Sequence, residues 1–187
     1  MIKHRLNFSD KIIPARDCTI HRVIKPSELK EFFDNNHIDG YAKSSYGISL
    51  INNNEIVGSC TLRWAKNNSA KNTLEIARLC FKSNTHIQGG LSKLIQQAKI
   101  ICHANSVSKL ITYADNRFGG KGYAAVGMAF VKTTNPRFWW TDYASRYDRF
   151  SYHANKNLGL TEKQVAKEAG VFRIYGCSNS LYEFNLV

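Results

Sequence analysis

TLEIARLCF at residues 73–81 is followed, after the loop 82–90, by GLSKLIQQAKIICHA at residues 90–104 and KLITY at residues 109–113. The first and last segments are short and apolar, as strands are, whereas the middle one carries its apolar residues on one stripe of a helix. A strand, a helix and a second strand in this order are typical of α/β proteins, so this part of the chain decides the fold class.

The segments on either side predict further strands and helices. Upstream, we expect a strand at Cys18–Ile24, a helix from Pro26 to about Asn36 with Ser27 as its cap, and a β-hairpin of Tyr46–Ile51 and Glu55–Trp64. Downstream, we expect a short helix at Gly119–Gly127, a strand at Ala129–Lys132, a helix at Thr161–Ala169 capped by Thr161, and a closing hairpin of Val171–Tyr175 and Leu181–Phe184. This order predicts the α/β (α+β) class, with a mixed central sheet flanked by helices.

Length and composition are those of a single globular domain. The chain has 187 residues, of which 43% are hydrophobic and 12% aromatic, so general disorder is excluded. We divide it into an N-terminal arm at residues 1–15, a core at residues 16–134, and a C-terminal extension at residues 135–187 that is rich in aromatic and basic residues and packs on the core.

Nothing in the sequence indicates secretion or a membrane. No apolar run approaches the roughly 18–20 residues of a membrane helix, and the polar residues after Met1 are unlike a secretory signal. Five cysteines at wide, unpaired spacing predict reduced thiols, most of them buried, in a cytoplasm. His37, His86 and His153 have no partner at the spacing of metal ligands, so we predict no metal site.

Positive charge dominates the sequence and is concentrated in its middle. Lysine and arginine number 26 against 14 acidic residues, a net charge of +12. Between Arg63 and Lys121, ten basic residues are opposed only by Glu75 and Asp115, which gives +8 of that total. This concentration predicts a face that binds a polyanion such as nucleic acid; the alternative is a solvated surface on a protein with a high isoelectric point.

Two features next to the predicted strands are typical of ligand sites. Gly89-Gly90 at the start of the helix suits phosphate binding, because glycines let the backbone approach and a helix N-terminus offers free N–H groups; a tight turn is the alternative. Asp115 follows the last strand of the unit, where α/β sheets place ligands. It serves a ligand, caps the next turn, or pairs with Arg78 or Arg117.

Arg78 is the expected partner of Asp115. Glu75 and Arg78 are three positions apart on one strand, so their side chains should point to opposite faces. A buried arginine requires a carboxylate, and Asp115 on the neighbouring strand is the candidate.

The C-terminal extension alternates aromatic residues with arginines. Between Arg137 and Tyr152 this pattern suits base stacking combined with phosphate contacts, as in proteins that bind single strands or flipped bases. The alternative is a packed aromatic cluster that closes the sheet.

Four short motifs follow one another at a specific spacing: LEIARL at residues 74–79, Gly89-Gly90, YAD at residues 113–115, and Tyr123 with Gly127. Together they resemble the core of the Mom DNA-modification proteins of bacteriophages, which have the GNAT acyltransferase fold. Over roughly residues 15–185 the chain is also similar to a domain that follows the nuclease domain in phage homing endonucleases. That second likeness rests on NHIDGY at residues 36–41, GGLSKL at 89–94, NPRFWW at 135–140, RYDRF at 146–150 and RIYGC at 173–177.

The resemblance implies acetyl-CoA or a related acyl-CoA as donor and the exocyclic amine of a nucleobase in DNA as acceptor. For a phage protein, the place of action would be the host cytoplasm. It implies that Asp115, oriented by Arg78, deprotonates or positions the amine, and that Tyr123 protonates the departing thiolate. The resemblance further implies Ser92 for catalysis. For donor binding we predict Cys80, Gln88, Gly89, Gly90 and Leu91, and for DNA binding Arg117, Lys121, Arg137, Arg146 and Arg149.

Two other functions stay open at this point. The window Thr85–Gly90 departs from the usual GNAT phosphate-binding loop, because it lacks the first polar residue and the middle glycine, and Gly127 is followed by Met128 rather than phenylalanine. These departures favour a non-catalytic DNA-binding module as the alternative. A GNAT enzyme that acts on a protein or a small amine also fits the fold but leaves the +8 segment unexplained.

Overall fold

A seven-stranded sheet forms the centre of the computed structural model, which describes residues 10–65, 72–154 and 159–186. In spatial order its strands are β2 (Thr19–Val23), β3 (Tyr46–Asn52), β4 (Glu55–Trp64), β5 (Thr73–Phe81), β7 (Lys109–Asp115), β12 (Asn179–Asn185) and β8 (Ala129–Thr133). β5 and β7 are parallel, and the other neighbouring pairs of this sheet are antiparallel. The predicted α/β class with a mixed sheet is confirmed, and so is the β3–β4 hairpin.

Two smaller sheets account for the remaining strands of the described residues. β1 (Lys11–Pro14) and β6 (Thr85–Gln88) pair in parallel. β9 (Phe138–Thr141) pairs antiparallel with both β10 (Arg146–Tyr147) and β11 (Phe172–Tyr175), and we call these three strands the C-terminal sheet. The predicted N-terminal arm is thus tied to β6, a strand within the stretch predicted to be a loop.

The α-helices of the described residues are α1 (Lys30–Asn36), α2 (Gly90–Ala104), α3 (Lys121–Ala125) and α4 (Glu162–Glu168), and 3₁₀ turns occupy Ala15–Asp17, Pro26–Leu29 and Arg149–Tyr152. α2 has the bounds that its apolar stripe predicts. Leu94, Ala98 and Cys102 on that stripe are fully buried in the main core, together with Ile48 and Leu62 of the sheet. Within the described part of the chain, no helix has both the length and the apolar character needed to cross a membrane.

The starts of two helices test the predicted caps. Thr161 caps α4 as predicted: its hydroxyl accepts a hydrogen bond from the backbone N–H of Gln164, whose side chain accepts one from the N–H of Thr161. Ser27 is not a cap, because the chain enters α1 through the 3₁₀ turn and the helix begins at Lys30 without a side-chain cap. Pro26 presets the backbone of that turn.

The predicted closing hairpin is wrong. β11 pairs with β9, whereas β12 lies between β7 and β8 in the central sheet. Leu181 and Tyr182 of β12 are buried there. Burial of these side chains in the large sheet stabilises the fold more than a hairpin with β11 would, although the connection to β11 is short. The last strand of the predicted C-terminal extension therefore belongs to the core sheet, and a boundary at residue 135 divides that sheet.

The aromatic residues of the C-terminal extension have a small core of their own. Its buried centre consists of Trp140, Ala166 and Val171, with Phe138, Tyr147 and Tyr152 packed around it. The Trp140 indole Nε1–H donates a hydrogen bond to the carbonyl of Arg149 at 3.1 Å. These residues pack with one another, as the alternative prediction of an aromatic cluster has it, while Tyr143 remains 88% exposed.

Candidate active site

The parallel strands β5 and β7 separate part of the way along their length. Their pairing runs from Thr73 opposite Lys109 to Ile76 opposite Thr112, and no pairing of the described residues continues it. Beyond this point a cavity of about 380 Å³ opens, lined by both strands, by the loop after α1 and by α3. Separation leaves backbone N–H and C=O groups without a partner strand, and such groups are available to a ligand.

A β-bulge at Ala77 changes which side chains of β5 share a face. The register with β4 skips Ala77 between Ile76 and Arg78, so β5 carries one extra residue there. Glu75 and Arg78 both line the cavity as a result. The expectation that their side chains point to opposite faces is therefore wrong, because it assumes an unbroken two-residue period.

Glu75 is the most buried acidic residue of the cavity lining. It is 8% exposed, and its Oε1 accepts a hydrogen bond from Arg63 Nη2 at 2.5 Å. Arg63 lies directly opposite on β4, and its Nε is buried without an acceptor among the described residues. The ion pair fixes the position of the Glu75 carboxylate in the cavity wall. Glu75 is not among the site residues predicted from the sequence; the available signal is a single acid within an apolar strand.

Arg78 does not pair with Asp115, so that prediction is wrong. Its Nε donates a hydrogen bond to the carbonyl of Gly40 at 2.7 Å, its Nη1 donates to the carbonyl of the preceding residue at 2.8 Å, and its Nη2 donates to the carbonyl of Asp39 at 3.5 Å. Burial lowers the pKa of the Arg78 guanidinium, and the charge of Asp39 opposes that shift. Arg78 holds the loop after α1 against β5 and is a positioning residue.

Asp115 is held by Arg117, two residues further along the chain. Arg117 Nε donates to Oδ1 at 3.0 Å and to Oδ2 at 2.9 Å, and the backbone N–H of Arg117 donates to Oδ1 at 2.8 Å. This guanidinium holds the pKa of Asp115 below its ordinary value. Of the roles left open by the sequence, pairing with Arg117 and capping of the turn are the ones observed. Asp115 lines the cavity, but a carboxylate held in this way is a weak proton acceptor.

Tyr123 of α3 lines the cavity with a protonated hydroxyl. Burial raises the pKa of this hydroxyl to about 12, and a hydrogen bond with Thr112 of β7 opposes part of the shift. The ring packs in the core, 6.0 Å from the ring of Tyr182. At neutral pH the hydroxyl therefore carries the proton that the predicted role of a general acid requires.

The residues predicted to bind the donor lie in two places. Cys80 lines the cavity, and burial raises the pKa of its thiol to about 12. Gln88, Gly89, Gly90 and Leu91 lie outside the cavity lining, where β6 passes into α2. A Cβ on Gly122 of α3 would be 3.0 Å from Leu91 Cδ2, so the start of α2 adjoins the helix that carries Tyr123.

The first turn of α2 is open to an anion. It contains no acidic residue and no side-chain cap, and Gly89 and Ser92 are exposed. Its leading N–H groups are therefore available. Packing also requires a glycine at position 90, because a Cβ there would lie 2.7 Å from Ile87 and 2.7 Å from Phe81. Ser92, predicted to be catalytic, belongs to this turn and not to the cavity lining.

Much of the positive charge between Arg63 and Lys121 is engaged within the fold. Lys66 and Lys71 lie outside the described residues. Ion pairs join Arg63 to Glu75, Lys82 to Glu55, Lys109 to Glu183 and Arg117 to Asp115, and Lys93 donates to the carbonyls of Ala15 and Cys18. The segment therefore stabilises contacts between several elements, and the expectation of a single basic face needs correction.

The residues predicted to bind DNA fall at two locations. Arg137 is exposed and lines the cavity, and Lys121 is exposed at the start of the helix that carries Tyr123. Arg117 is the partner of Asp115 described above. Arg146 belongs to β10 of the C-terminal sheet, and Arg149 lies in the 3₁₀ turn that follows it. Their guanidinium carbons are 4.8 Å from the Trp139 ring centroid and 4.7 Å from the Phe150 ring centroid, respectively.

His37 adds an uncharged imidazole to the cavity wall. Its Nδ1 accepts a hydrogen bond from the backbone N–H of Asp39 at 3.1 Å, so the proton of the neutral ring is on Nε2. Burial, and after it the charge of Arg78, lowers the pKa of His37. The described residues contain no group of three or more His, Cys, Asp or Glu side chains that could hold a metal ion.

Replacing His37 with glutamine should make the stability of the protein less sensitive to acid. The pKa of His37 is lower in the folded than in the unfolded chain, so its contribution to stability is present above about pH 6.5 and is lost as the pH falls through the folded-state pKa. We expect wild type to lose more free energy of unfolding than His37→Gln between about pH 7.5 and about pH 5, measured by urea titration. His21→Gln, at an exposed position of β2, is the control and should behave as wild type. Equal losses in wild type and His37→Gln would contradict this account.

Neither a protein-family model nor a curated protein sequence matches the chain. Solved structures do match its fold. An N-acetyltransferase from Staphylococcus aureus Mu50 aligns with a TM-score of 0.58 at 13% identity, over 91% of this chain and 99% of that one. The ribosomal-protein-S18-alanine N-acetyltransferase from Escherichia coli aligns with a TM-score of 0.56 at 8% identity, over 90% and 94%. A GNAT family acetyltransferase from Elizabethkingia anophelis, solved with acetyl-CoA bound, aligns with a TM-score of 0.52 at 18% identity, over 90% and 98%.

These likenesses show that the chain has the fold of GNAT acetyltransferases, which the resemblance in the sequence predicts. The resemblance to Mom proteins and to the endonuclease-associated domain stays a prediction.

Proposed function

We propose that this protein transfers an acyl group from an acyl-CoA-type donor to the exocyclic amine of a nucleobase in DNA, a Mom-like activity. The observation that carries the proposal is the polar cavity between β5 and β7, because buried Glu75 and protonated Tyr123 line the same space. The GNAT fold supports acyl transfer. The net charge of +12 supports a polyanion as acceptor.

The residues of this chain fit an acyl-CoA donor such as acetyl-CoA. The uncapped first turn of α2, with exposed Gly89, would hold the pyrophosphate, because helix N-termini bind phosphate groups. On the cavity side, no strand of the described residues pairs with the backbone of β5 beyond Ile76, and this backbone would hold the amides of the donor's arm, next to Cys80. When bound, the donor supplies an acyl group activated as a thioester.

Glu75 is the residue we assign as proton acceptor for the attacking amine. Its carboxylate is buried in the cavity, where Arg63 binds Oε1 while Oε2 accepts no hydrogen bond from the described residues. Asp115, which the resemblance implies for this role, has both carboxylate oxygens bound by the Arg117 guanidinium and Oδ1 bound also by a backbone N–H, so neither oxygen is left to take a proton. Asp115 and Arg78 then shape the cavity wall.

Tyr123 supplies a proton at the end of the transfer. Its hydroxyl remains protonated up to a pKa of about 12, and Thr112 fixes its orientation from β7. The sulfur that leaves as the amine becomes an amide would take this proton. His37 Nε2–H is a further uncharged hydrogen-bond donor at the wall of the same cavity.

An amine inside duplex DNA reaches this cavity only when its nucleotide is flipped out of the stack. Exposed Arg137 in the lining and Lys121 at the start of α3 would contact phosphates on either side of the flipped nucleotide.

Mass spectrometry of nucleosides tests this function. Duplex DNA incubated with the protein and acetyl-CoA, then digested to nucleosides, should contain an adenine or cytosine nucleoside heavier by one acyl group. The Glu75→Gln variant should leave the DNA unmodified at the same exposure. If the wild-type protein binds acetyl-CoA and acylates a peptide amine but leaves DNA unmodified, the proposal that DNA is the acceptor is contradicted. If the protein lowers the electrophoretic mobility of DNA at low salt but calorimetry detects no binding of acetyl-CoA, it is a DNA-binding module instead.

A further inference from the structure

A second cavity, of about 640 Å³, is formed by the C-terminal sheet and α4 and shares no lining residue with the first. Its buried side is apolar, because Trp140, Ala166 and Val171 are 3%, 1% and 6% exposed. Its volume is within the range of about 300–1,000 Å³ that is usual for small-molecule sites. Nothing in the acyl-transfer reaction proposed above uses this cavity.

Three cations, and no carboxylate, are found among the described residues that line it. Lys163 and Lys167 are one helical turn apart on α4, so their ammonium groups share a face and repel each other. Arg173 of β11 is paired with Glu162 at 3.3 Å and lies 4.9 Å from the Trp140 ring centroid. An anionic group between the two lysines would relieve their repulsion, so the cavity is complementary to a negatively charged ligand.

Exposed aromatic rings also line the cavity. Phe172 and Tyr175 of β11 are 39% and 65% exposed. Tyr175 is on the same face of β11 as Arg173 and presents its ring to a planar group, whereas the Phe172 ring points to the other face and packs 4.3 Å from the Tyr143 ring. The Arg173 guanidinium over the Trp140 ring extends the flat surface beside Tyr175. A ligand that is planar, partly apolar and negatively charged meets all of these features. An acidic peptide would satisfy the lysines but not the rings.

We propose that this cavity binds one nucleotide of a DNA strand, other than the nucleotide that is modified. The base would stack on the exposed Tyr175 ring, and a phosphate would lie between Lys163 and Lys167. This inference rests on the proposed function, in which DNA is the acceptor. The second site would hold the strand at a distance from the acyl-transfer cavity and so favour substrates longer than a single nucleotide.

Fluorescence anisotropy with a labelled single-stranded oligonucleotide tests the site. In the Lys163→Gln/Lys167→Gln variant, the slope of log affinity against log salt should fall by about 0.7, because the one phosphate held between the two lysines contributes about 0.7 on a single strand. Tyr175→Ala should lower the affinity by about five- to 150-fold, the range for one stacked base. Lys25→Gln/Lys43→Gln, two exposed lysines outside this cavity, is the matched control and should keep the wild-type slope. Circular dichroism should show that all variants are folded.

Acyl transfer to a small amine should be unchanged in these variants, since none of the altered residues lines the first cavity. If both cavity variants keep the wild-type affinity for the oligonucleotide and the wild-type salt dependence, the inference is overturned. If the wild-type protein nevertheless modifies DNA, the proposed function stands without the second site. A wild-type protein that binds no oligonucleotide would overturn both. Adenosine 3′,5′-bisphosphate, the nucleotide part of CoA, is the second probe. Loss of its binding in the lysine variant, with oligonucleotide binding unchanged, would assign the cavity to the donor and overturn the inference.

Discussion

Glu75→Gln is expected to lower the rate of acyl transfer by about 10²- to 10⁴-fold, the range for removal of a general base. Glutamine keeps the size of the side chain but accepts no proton from the amine. The rate is measured as release of the donor's free thiol in the presence of DNA, at saturating donor. Asp115→Asn is the matched control, and we expect it to cost no more than about tenfold, since this carboxylate is a weak proton acceptor.

Stability has to be separated from chemistry in this experiment. Removing one partner of a buried ion pair typically costs about 3–5 kcal/mol, and Glu75→Gln leaves Arg63 without its carboxylate. The Arg63→Gln/Glu75→Gln variant removes both charges, so its free energy of unfolding should recover while its activity stays low. The reverse pattern, in which Asp115→Asn abolishes activity and Glu75→Gln does not, would assign the proton acceptor to Asp115.

Arg78→Gln is expected to lower the free energy of unfolding by about 1.5–3 kcal/mol, as for loss of hydrogen bonds to a charged group. The Arg78 guanidinium donates to the carbonyls of Gly40 and of the preceding residue, and glutamine cannot reproduce that fork. Because the loop after α1 forms one wall of the cavity, the KM for the acceptor should rise more than kcat falls. Urea titration and steady-state kinetics measure the two effects.

Arg16→Gln is the control for Arg78→Gln. Its side chain is 85% exposed beside Asp17, and substitutions at such positions usually change stability by less than about 0.5 kcal/mol. If Arg78→Gln kept wild-type stability and acceptor KM but lost kcat, Arg78 would act on the reacting atoms directly, as the resemblance implies.

Local sequence pattern was sufficient where an element makes its main contacts with its neighbours in the chain. The apolar stripe of α2 and the Asn-rich turn between β3 and β4 predict those elements with nearly the observed bounds. The pairing of distant segments was not predictable in this way. β12 and β11 are both short strands, and nothing local to either indicates that they join different sheets.

In the candidate site, too, local motifs predict some residues, whereas others depend on contacts between distant parts of the chain. Asp115, Tyr123 and Cys80 were predicted from motifs, and all three line the cavity. Glu75 was missed because a single acid within an apolar strand is a weak signal, and the bulge at Ala77 that brings Arg78 to the face of Glu75 depends on how the two strands pair. His37 reaches the cavity through a loop held by Arg78, a contact between residues that are far apart in the sequence.

The position of β12 also determines when the central sheet can be completed during synthesis. β2 to β5 are consecutive antiparallel neighbours and can pair as soon as they leave the ribosome. β7 can add to β5, but among the described residues its outer edge and the whole of β8 pair only with β12, which is made up of residues 179–185. Until those residues emerge, the nascent chain presents two unpaired strand edges beside an unfinished core, the condition in which strands associate between molecules. In a chain truncated before residue 179, these edges would therefore stay unpaired and the protein would be prone to aggregate.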